Sequence, residues 1–181
     1  MVCMVKAFGY GAGSYELAKT LQEHRCDYLA VAVADEGAEL RKEGISIPII
    51  VMNPEFSSFN VLFENHLEPE VYSFRLLDAM IRETERRGIT SYPIHIKIDT
   101  GMGRYGFLPD ELDQLLPIFK YMPGLHVTGI YTHLHSAFCS QKATIVQAEA
   151  FQGVLDQLHA SGCETGMAHM LNSAGLLKYP Q

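Results

Sequence analysis

Short apolar runs alternate with helix-like stretches along this chain of 181 residues, and this alternation limits its possible folds more than any other feature. The strand-like runs lie at residues 4–8, 28–33, 48–52, 70–73, 94–99, 127–133 and 168–171. Helical apolar periodicity occupies residues 14–25, 35–43, 75–87 and 141–160. Parallel strands need long crossovers, which helices usually supply, so the alternation predicts an α/β fold with a parallel sheet.

The repeat length favours a closed barrel over an open, doubly wound sheet. A strand recurs about every 25 residues, close to the ~30 residues per unit of a (β/α)8 barrel of the TIM type. Candidate functional groups also follow several different strands, as they do in the active sites of such barrels. Only seven strands are found, so we expect residues 1–181 to form an incomplete barrel. Either one strand is unrecognised or the chain is part of a longer protein.

Charge and composition exclude several classes of function. The formal net charge of −7 and the absence of a long basic cluster argue against nucleic acid as a partner. No apolar run approaches the length of a membrane span, and the first residues do not resemble a signal peptide. The four cysteines lack CxxC spacing, so we expect reduced thiols and a cytoplasmic location.

Lys6 follows the apolar residues 2–5 at the beginning of the chain and precedes a turn that contains Gly9, Gly11 and Gly13. A lysine at the end of a buried strand is costly unless it is paired or takes part in chemistry. The glycines allow the backbone to approach a ligand closely, and a phosphate fits such a turn best. A desolvated lysine beside a phosphate site is typical of enzymes that use pyridoxal 5′-phosphate (PLP), in which the lysine holds the cofactor as a Schiff base.

A second candidate site lies in residues 94–99, where isoleucines alternate with His95, Lys97 and Asp99. Period-two geometry places the three polar side chains together on one face of the strand. A single buried polar side chain is commonly a packed core residue, but three in succession favour a functional site. The glycine-rich loop that follows carries Arg104, which is either an ordinary solvated side chain or a clamp for a carboxylate or phenolate group.

Polar residues also follow the last two strand-like runs. His133 alone is more typical of a structural hydrogen bond than of catalysis, and a metal site with His135 lacks further ligands, so we expect no metal. Asn172 and Ser173 are either a helix N-cap or a phosphate site, since the late loops of barrels commonly bind phosphate. The acidic pair 35–36 indicates only favourable charge in the first turn of a helix.

Together these motifs resemble those of the PLP-dependent alanine racemases of the barrel-fold type. Residues 6–13 (KAFGYGAG) are similar to the cofactor-lysine signature of that family. Residues 95–104 (HIKIDTGMGR) resemble its second signature, which is highly specific. The segments 131–133 (YTH) and 172–174 (NSA) follow in the same order as in the family, so the resemblance spans the whole chain.

The resemblance implies roles for the residues that would bind the cofactor and the substrate. Lys6 would bind PLP covalently and act as the base on one face of the substrate α-carbon. Tyr10 and Ser173 would hold the cofactor phosphate. Arg104 would face both the phenolic oxygen of the cofactor and the carboxylate of the substrate.

Three further residues gain roles from the same resemblance. Lys97 matches a position that is often N-carboxylated, where the added negative charge pairs with Arg104 and fixes it. His133 would lie beneath the pyridine ring of PLP, and Asn172 would flank the cofactor site. The family signature usually has asparagine where Phe8 stands and histidine where Ala12 stands, so the local hydrogen bonds of this turn differ from the usual ones.

The resemblance also implies what lies outside these residues. Family members begin before the lysine strand, and they continue into a last barrel strand and a β-rich domain. That domain donates the second base across a homodimer. We therefore expect residues 1–181 to be the N-terminal barrel domain of an enzyme that interconverts L-alanine and D-alanine for peptidoglycan synthesis. The isolated chain is expected to be inactive.

Other functions remain open at this point. The parent enzyme could act on another small amino acid such as serine, or be a decarboxylase of basic amino acids on the same barrel. The chain could instead be a non-catalytic PLP-binding barrel protein, or a module for assembly within a larger protein. The sequence on both sides of these residues would discriminate between them, because a natural barrel-only protein needs its own first helix and eighth strand.

Overall fold

The computed structural model describes residues 1–179, and the chain divides into two compact units, residues 1–70 and residues 71–181. The strands are β1 (Val2–Met4), β2 (Tyr28–Val31), β3 (Ile49–Val51), β4 (Glu68–Val71), β5 (Ser91–Lys97), β6 (Gly124–Tyr131) and β7 (Met167–His169). The helices are Ser14–Glu23, Ala34–Lys42, Phe59–Glu64, Phe74–Arg87, Leu112–Lys120, Gln141–Ala160 and Ser173–Lys178, and 3-10 turns lie at Phe56–Ser58 and Pro109–Glu111.

The first unit is built on parallel strands that follow one another in chain order. Met4 of β1 is paired with Ala30 of β2, which is paired with Ile50 of β3, and Ile50 is paired with Glu68 of β4. The residues of β3 are at most 1% exposed, because helices cover parallel sheets on the face away from the interior. Such strands read as continuous apolar runs, which is why the sequence reveals them without strict alternation.

The second unit repeats this arrangement with two longer strands, β5 and β6, and the short strand β7. β5 pairs in parallel with β6, and β6 pairs in parallel with β7. The register sets Lys97 beside Tyr131, and Tyr131 beside His169, at the carboxyl ends of the three strands. Loops that leave these ends therefore begin close together, which positions the candidate site of this unit.

The Phe74–Arg87 helix shows how local signals fix an element. The Ser73 hydroxyl accepts a hydrogen bond from the Leu76 N–H at 3.3 Å and caps the first turn. Gly88 follows the last turn with φ 67°, a conformation that glycine adopts at little cost. Leu76, Leu77 and Met80 are fully buried on one face, as the apolar periodicity predicts.

Most elements are confirmed within a few residues, but the first predicted strand is wrong over most of its length. β1 ends at Met4, and the predicted run 4–8 continues instead into a left-handed turn. Ala7, Phe8 and Tyr10 have φ between 51° and 55°, which is incompatible with a strand. Two helices without a clear sequence signal, Phe59–Glu64 and Leu112–Lys120, are present in addition, and a third, Ser173–Lys178, has only its N-cap as a signal.

Candidate functional site

The first unit carries Lys6 and Tyr10 on one left-handed turn just beyond β1. The Val5 N–H still bonds to the Ala30 carbonyl at 2.9 Å, so the sheet holds the chain up to the residue before Lys6. The turn then closes on itself through the Gly9 N–H, which bonds to the Val5 carbonyl at 3.1 Å. Two of the residues predicted from the sequence are thus presented by one short, sharply turned segment.

The side chains of this turn are available to a ligand. Lys6 is half-buried, and its ammonium has no hydrogen-bond or ion-pair partner within residues 1–179. Tyr10 is 66% exposed. A Cβ on Gly11, whose φ is 92°, would meet no atom within 4 Å, so the backbone there is open to close approach. An unpaired, half-buried lysine beside open glycine backbone fits a ligand that carries both a carbonyl group and an anionic group.

In the second unit, two polar side chains of β5 and that of Asp99, two residues beyond the strand, are buried as the alternation predicts. His95 is 0% exposed, Lys97 5% and Asp99 9%. The His95 Nε2 lies 3.2 Å from the Thr128 hydroxyl. The Lys97 Nζ lies 5.8 Å from the centroid of the Tyr131 ring, within the range of a cation–π contact.

Asp99 organises the loop that carries Arg104. One carboxylate oxygen accepts backbone N–H bonds from Gly101, Met102 and Gly103 at 2.9, 2.8 and 3.1 Å. The other accepts the Arg104 N–H at 2.9 Å. Burial raises the pKa of this carboxyl, but the four N–H donors outweigh burial and hold the pKa below its ordinary value. Asp99 is therefore a charged anchor for the loop.

The loop is also hydrogen-bonded to the end of β5 through its backbone, and the Arg104 guanidinium takes no part in these bonds. The Phe107 N–H bonds to the Lys97 carbonyl at 2.9 Å, and the Asp99 N–H bonds to the Phe107 carbonyl at 2.8 Å. Arg104 is exposed, and its guanidinium has no partner in the part of the chain that the structure describes. A fixed backbone with an unpaired guanidinium suits recognition of a carboxylate or phenolate.

The backbone around His133 is held by a buried glutamine of the Gln141–Ala160 helix. The Gln147 amide donates to the His133 carbonyl at 3.0 Å and to the Thr100 hydroxyl at 3.3 Å. Its oxygen accepts the His135 N–H at 3.0 Å. This contact joins the loop after β6 to the loop after β5, so the two loops have a defined relative position.

Asn172 caps the last helix, as one of the two sequence interpretations predicts. Its oxygen accepts the Gly175 N–H at 2.9 Å, and its amide donates to the Leu134 carbonyl at 2.8 Å. The N-cap role is thus shown, and the second bond ties the loop after β7 to the loop after β6. Ser173 is exposed at the first helical position. The second unit therefore brings the predicted residues to the carboxyl ends of neighbouring strands.

His169 is a partly buried polar residue that no sequence motif singles out. Its ring stacks on Tyr131, with 4.8 Å between centroids and 4° between planes. Its Nε2 has no hydrogen-bond partner among residues 1–179. Burial, together with the nearby His95, lowers the pKa of His169 to about 4. The sequence signal for His169 is a histidine inside the strand-like run 168–171, but this residue lies outside the motifs described in the sequence analysis.

Metal-binding clusters and membrane-spanning helices are both absent from the described part of the chain. Residues 1–179 contain no group of three or more histidine, cysteine or acidic side chains arranged to hold a metal ion. None of the helices described here combines the length and the apolar character that crossing a membrane requires.

Comparisons with known proteins point to one family. The family described as "Alanine racemase, N-terminal domain" matches residues 1–181. The alanine racemase of Methanococcus maripaludis is 35% identical over 184 residues, which cover 100% of this chain and 49% of that protein. The alanine racemase of Carboxydothermus hydrogenoformans is 36% identical over 181 residues, covering 98% of this chain and 48% of that protein.

Solved structures agree with the sequence relatives. The alanine racemase of Clostridium difficile 630 superposes with a TM-score of 0.92 at 31% identity, covering 99% of this chain and 48% of that one. The enzyme of Streptomyces lavendulae gives a TM-score of 0.91 at 26% identity, covering 99% and 48%. The chain spans about half the length of the relatives that it matches. The match confirms the predicted fold class, an incomplete (β/α)8-type barrel with seven strands.

Proposed function

The chain belongs to the family of alanine racemase N-terminal domains, and on that premise we propose that it is the PLP-binding part of an enzyme that interconverts L-alanine and D-alanine. The observation that carries the proposal is Lys6, a half-buried lysine without a partner in residues 1–179, on a turn with open glycine backbone. In this proposal the enzyme is a cytoplasmic homodimer, and its product D-alanine enters peptidoglycan.

The chemistry of the available side chains fits PLP. The Lys6 amine would bind the cofactor aldehyde, and the Tyr10 and Ser173 hydroxyls would hold its phosphate. His133 and Asn172 would contact the ring and flank the site. When bound, the cofactor withdraws electrons from the substrate α-carbon and makes its proton acidic.

The residues of this chain then bind, orient and deprotonate the substrate. The Arg104 guanidinium, which has no partner in the described residues, would bind the alanine carboxylate. The Lys6 amine would take a proton from one face of the α-carbon or return it there. Racemisation also needs a base on the opposite face, and we assign that base to the remainder of the parent protein.

Lys97 is proposed to act through Arg104. Its side chain is only 5% exposed. Addition of CO2 to the neutral amine would release a proton and leave a carboxylated, anionic side chain. Because Phe107 bonds to the Lys97 backbone and closes the loop of Arg104, such an anion would lie on the same rigid segment as the arginine.

The test of this function is covalent trapping of PLP. Adding PLP to the 181-residue chain and reducing with borohydride is expected to place one adduct on Lys6, as mapped by peptide mass spectrometry. Lys6→Ala removes the adduct, while Lys19→Ala, which changes an exposed helical lysine, retains it. An adduct mainly on another lysine would contradict the assignment.

A second measurement concerns turnover by the same chain. We expect no appreciable racemisation of alanine, because only one of the two required bases is assigned to it. Optical rotation or a D-alanine-specific coupled assay checks this expectation. Turnover that disappears in Lys6→Ala would show that the second base is supplied within these residues.

A further inference from the structure

The turn that follows Lys6 adopts a backbone that its residues do not favour by themselves. Four successive residues, 7–10, have φ between 51° and 59°, and three of them are not glycine. A left-handed conformation costs a non-glycine residue free energy and persists only where surrounding contacts impose it. The side chains of Phe8 and Tyr10 are 70% and 66% exposed, so packing of those side chains does not impose it.

Backbone bonds within the turn account for only part of its order. The Gly11 and Gly13 N–H groups bond to the Phe8 carbonyl at 2.9 and 3.1 Å, which closes the end of the turn. The start of the turn is held by one backbone bond, from the Gly9 N–H to the Val5 carbonyl at 3.1 Å, and by one side chain. The Ala7 N–H, directly after Lys6, donates to the Glu36 Oε1 at 2.7 Å.

Glu36 joins this turn to the segment that follows β2. Its other oxygen accepts the Ala32 N–H at 2.7 Å and the Val33 N–H at 3.4 Å. These residues lead from β2 into the Ala34–Lys42 helix, and β2 is the neighbour of β1 in the sheet. One carboxylate therefore spans the chain segments at the carboxyl ends of two adjacent strands.

Favourable charge in the first turn of a helix, which is the sequence interpretation of Glu36, does not explain this geometry. Such a role requires only proximity to the N–H groups of its own helix. Here the shortest bonds reach the backbone 29 and 4 residues away, before the helix begins. Among residues 1–179, no other side chain hydrogen-bonds to the backbone of residues 6–13.

We propose that Glu36 is the positioning residue of Lys6: its carboxylate fixes the first left-handed residue after the lysine and thereby sets the direction of the Lys6 and Tyr10 side chains. The inference rests on the proposed function of Lys6. A hydrogen bond to an ionised acceptor is stronger than a neutral one, which suits an anchor for a strained turn.

The experiment compares Glu36→Gln and Glu36→Ala with Glu39→Gln, a matched control at an exposed position of the same helix. Glutamine has nearly the same shape but only one carbonyl oxygen, so it can serve Ala7 or the Ala32 side but not both as acceptors. For each 181-residue chain we would measure the PLP dissociation constant, the fraction trapped on Lys6, hydrogen exchange of the Ala7 amide, and thermal unfolding.

Glu36→Ala is expected to weaken PLP binding about tenfold or more and to shift trapped adduct from Lys6 to other lysines. Glu36→Gln is expected to lie between this variant and the wild type, with faster Ala7 exchange than the wild type. Glu39→Gln should match the wild type in every measurement. If Glu36→Ala does not fold, Glu36→Gln decides the question.

The failures of the two proposals are distinguishable. If the wild type is trapped on Lys6 and folded Glu36→Gln gives the same affinity, the same adduct and the same Ala7 exchange, this inference is overturned and the proposed function stands. If the wild type gives no adduct on Lys6, the proposed function fails, and the positioning role fails with it.

Discussion

At the scale of single residues, two carboxylates hold the two turns that carry the proposed cationic site residues. Glu36 accepts the N–H next to Lys6, and Asp99 accepts the N–H of Arg104 itself. In both cases the acidic group contacts backbone and leaves the cationic head without a partner in the described residues. The positive charges therefore stay available to an anionic ligand, while the chain that bears them is fixed.

Asp99→Asn is expected to destabilise the chain by about 2 kcal/mol at pH 7, because the amide cannot accept all the bonds that the carboxylate accepts. The folded-state pKa of Asp99 is lowered, so its contribution is fully present above the ordinary carboxyl pKa of about 3.9 and is lost as the pH falls through the folded-state value. Urea unfolding of both proteins between pH 7 and pH 3 checks this.

The difference in stability between the two proteins should shrink at the acid end of that range. A difference that stays constant from pH 7 to pH 3 would contradict a role for the ionised carboxylate. Asp110→Asn, at an exposed position, serves as the control and should change stability little at any pH.

At the scale of elements, the sequence predicts those helices and strands whose conformation is determined by residues within the element and beside it. The Phe74–Arg87 helix carries its own cap, periodicity and terminal glycine, and its periodicity predicts its bounds within one residue. The turn after Lys6 could not be predicted, because Ala7 and Phe8 have no preference for left-handed backbone. In this turn the Ala7 N–H donates a hydrogen bond to the carboxylate of Glu36, 29 residues away, and no local sequence pattern indicates such a contact.

β5 and β6 pack closely at Gly129, and substitution of this glycine tests how much space remains there. A Cβ at this position would lie 2.4 Å from the Nδ1 of the fully buried His95, so Gly129→Ala is expected to cost about 1–3 kcal/mol. Gly153, inside the Gln141–Ala160 helix, has no atom within 4 Å of such a Cβ. Gly153→Ala should therefore stabilise the chain by about 0.5–1 kcal/mol.

Thermal unfolding of the two variants gives the comparison. The expected result is a lower midpoint for Gly129→Ala and a higher one for Gly153→Ala. Equal shifts in the same direction would show that the close approach of His95 does not limit the packing of β6.

At the scale of the whole molecule, the second unit exposes large apolar side chains on and near its last helix. Leu177 is 84% exposed and Leu176 53%. Phe138 is 78% exposed, and the Nζ of Lys178, which follows Leu177 in the chain, lies 4.8 Å from the centroid of its ring. The chain spans about half the length of its relatives, and we expect this surface to promote self-association of the isolated chain.

Leu177→Lys is expected to reduce that self-association without lowering the unfolding midpoint, because the side chain is exposed. Light scattering over a range of protein concentrations measures the effect. Tyr121→Lys adds the same charge at a residue that is 80% exposed and serves as the control. Equal improvement by both variants would attribute the effect to net charge rather than to this surface.

The hydrogen bonds that hold the Arg104 loop also determine which substitutions the loop can tolerate. Asp99 recognises only N–H groups there, and these are the same in every amino acid except proline. Position 102 can therefore change its side chain without loosening the loop, whereas Gly101 and Gly103, with φ of 132° and 71°, cannot change freely. The carboxylate of Asp99 therefore constrains the backbone path of this loop and leaves the side chain at position 102 unconstrained.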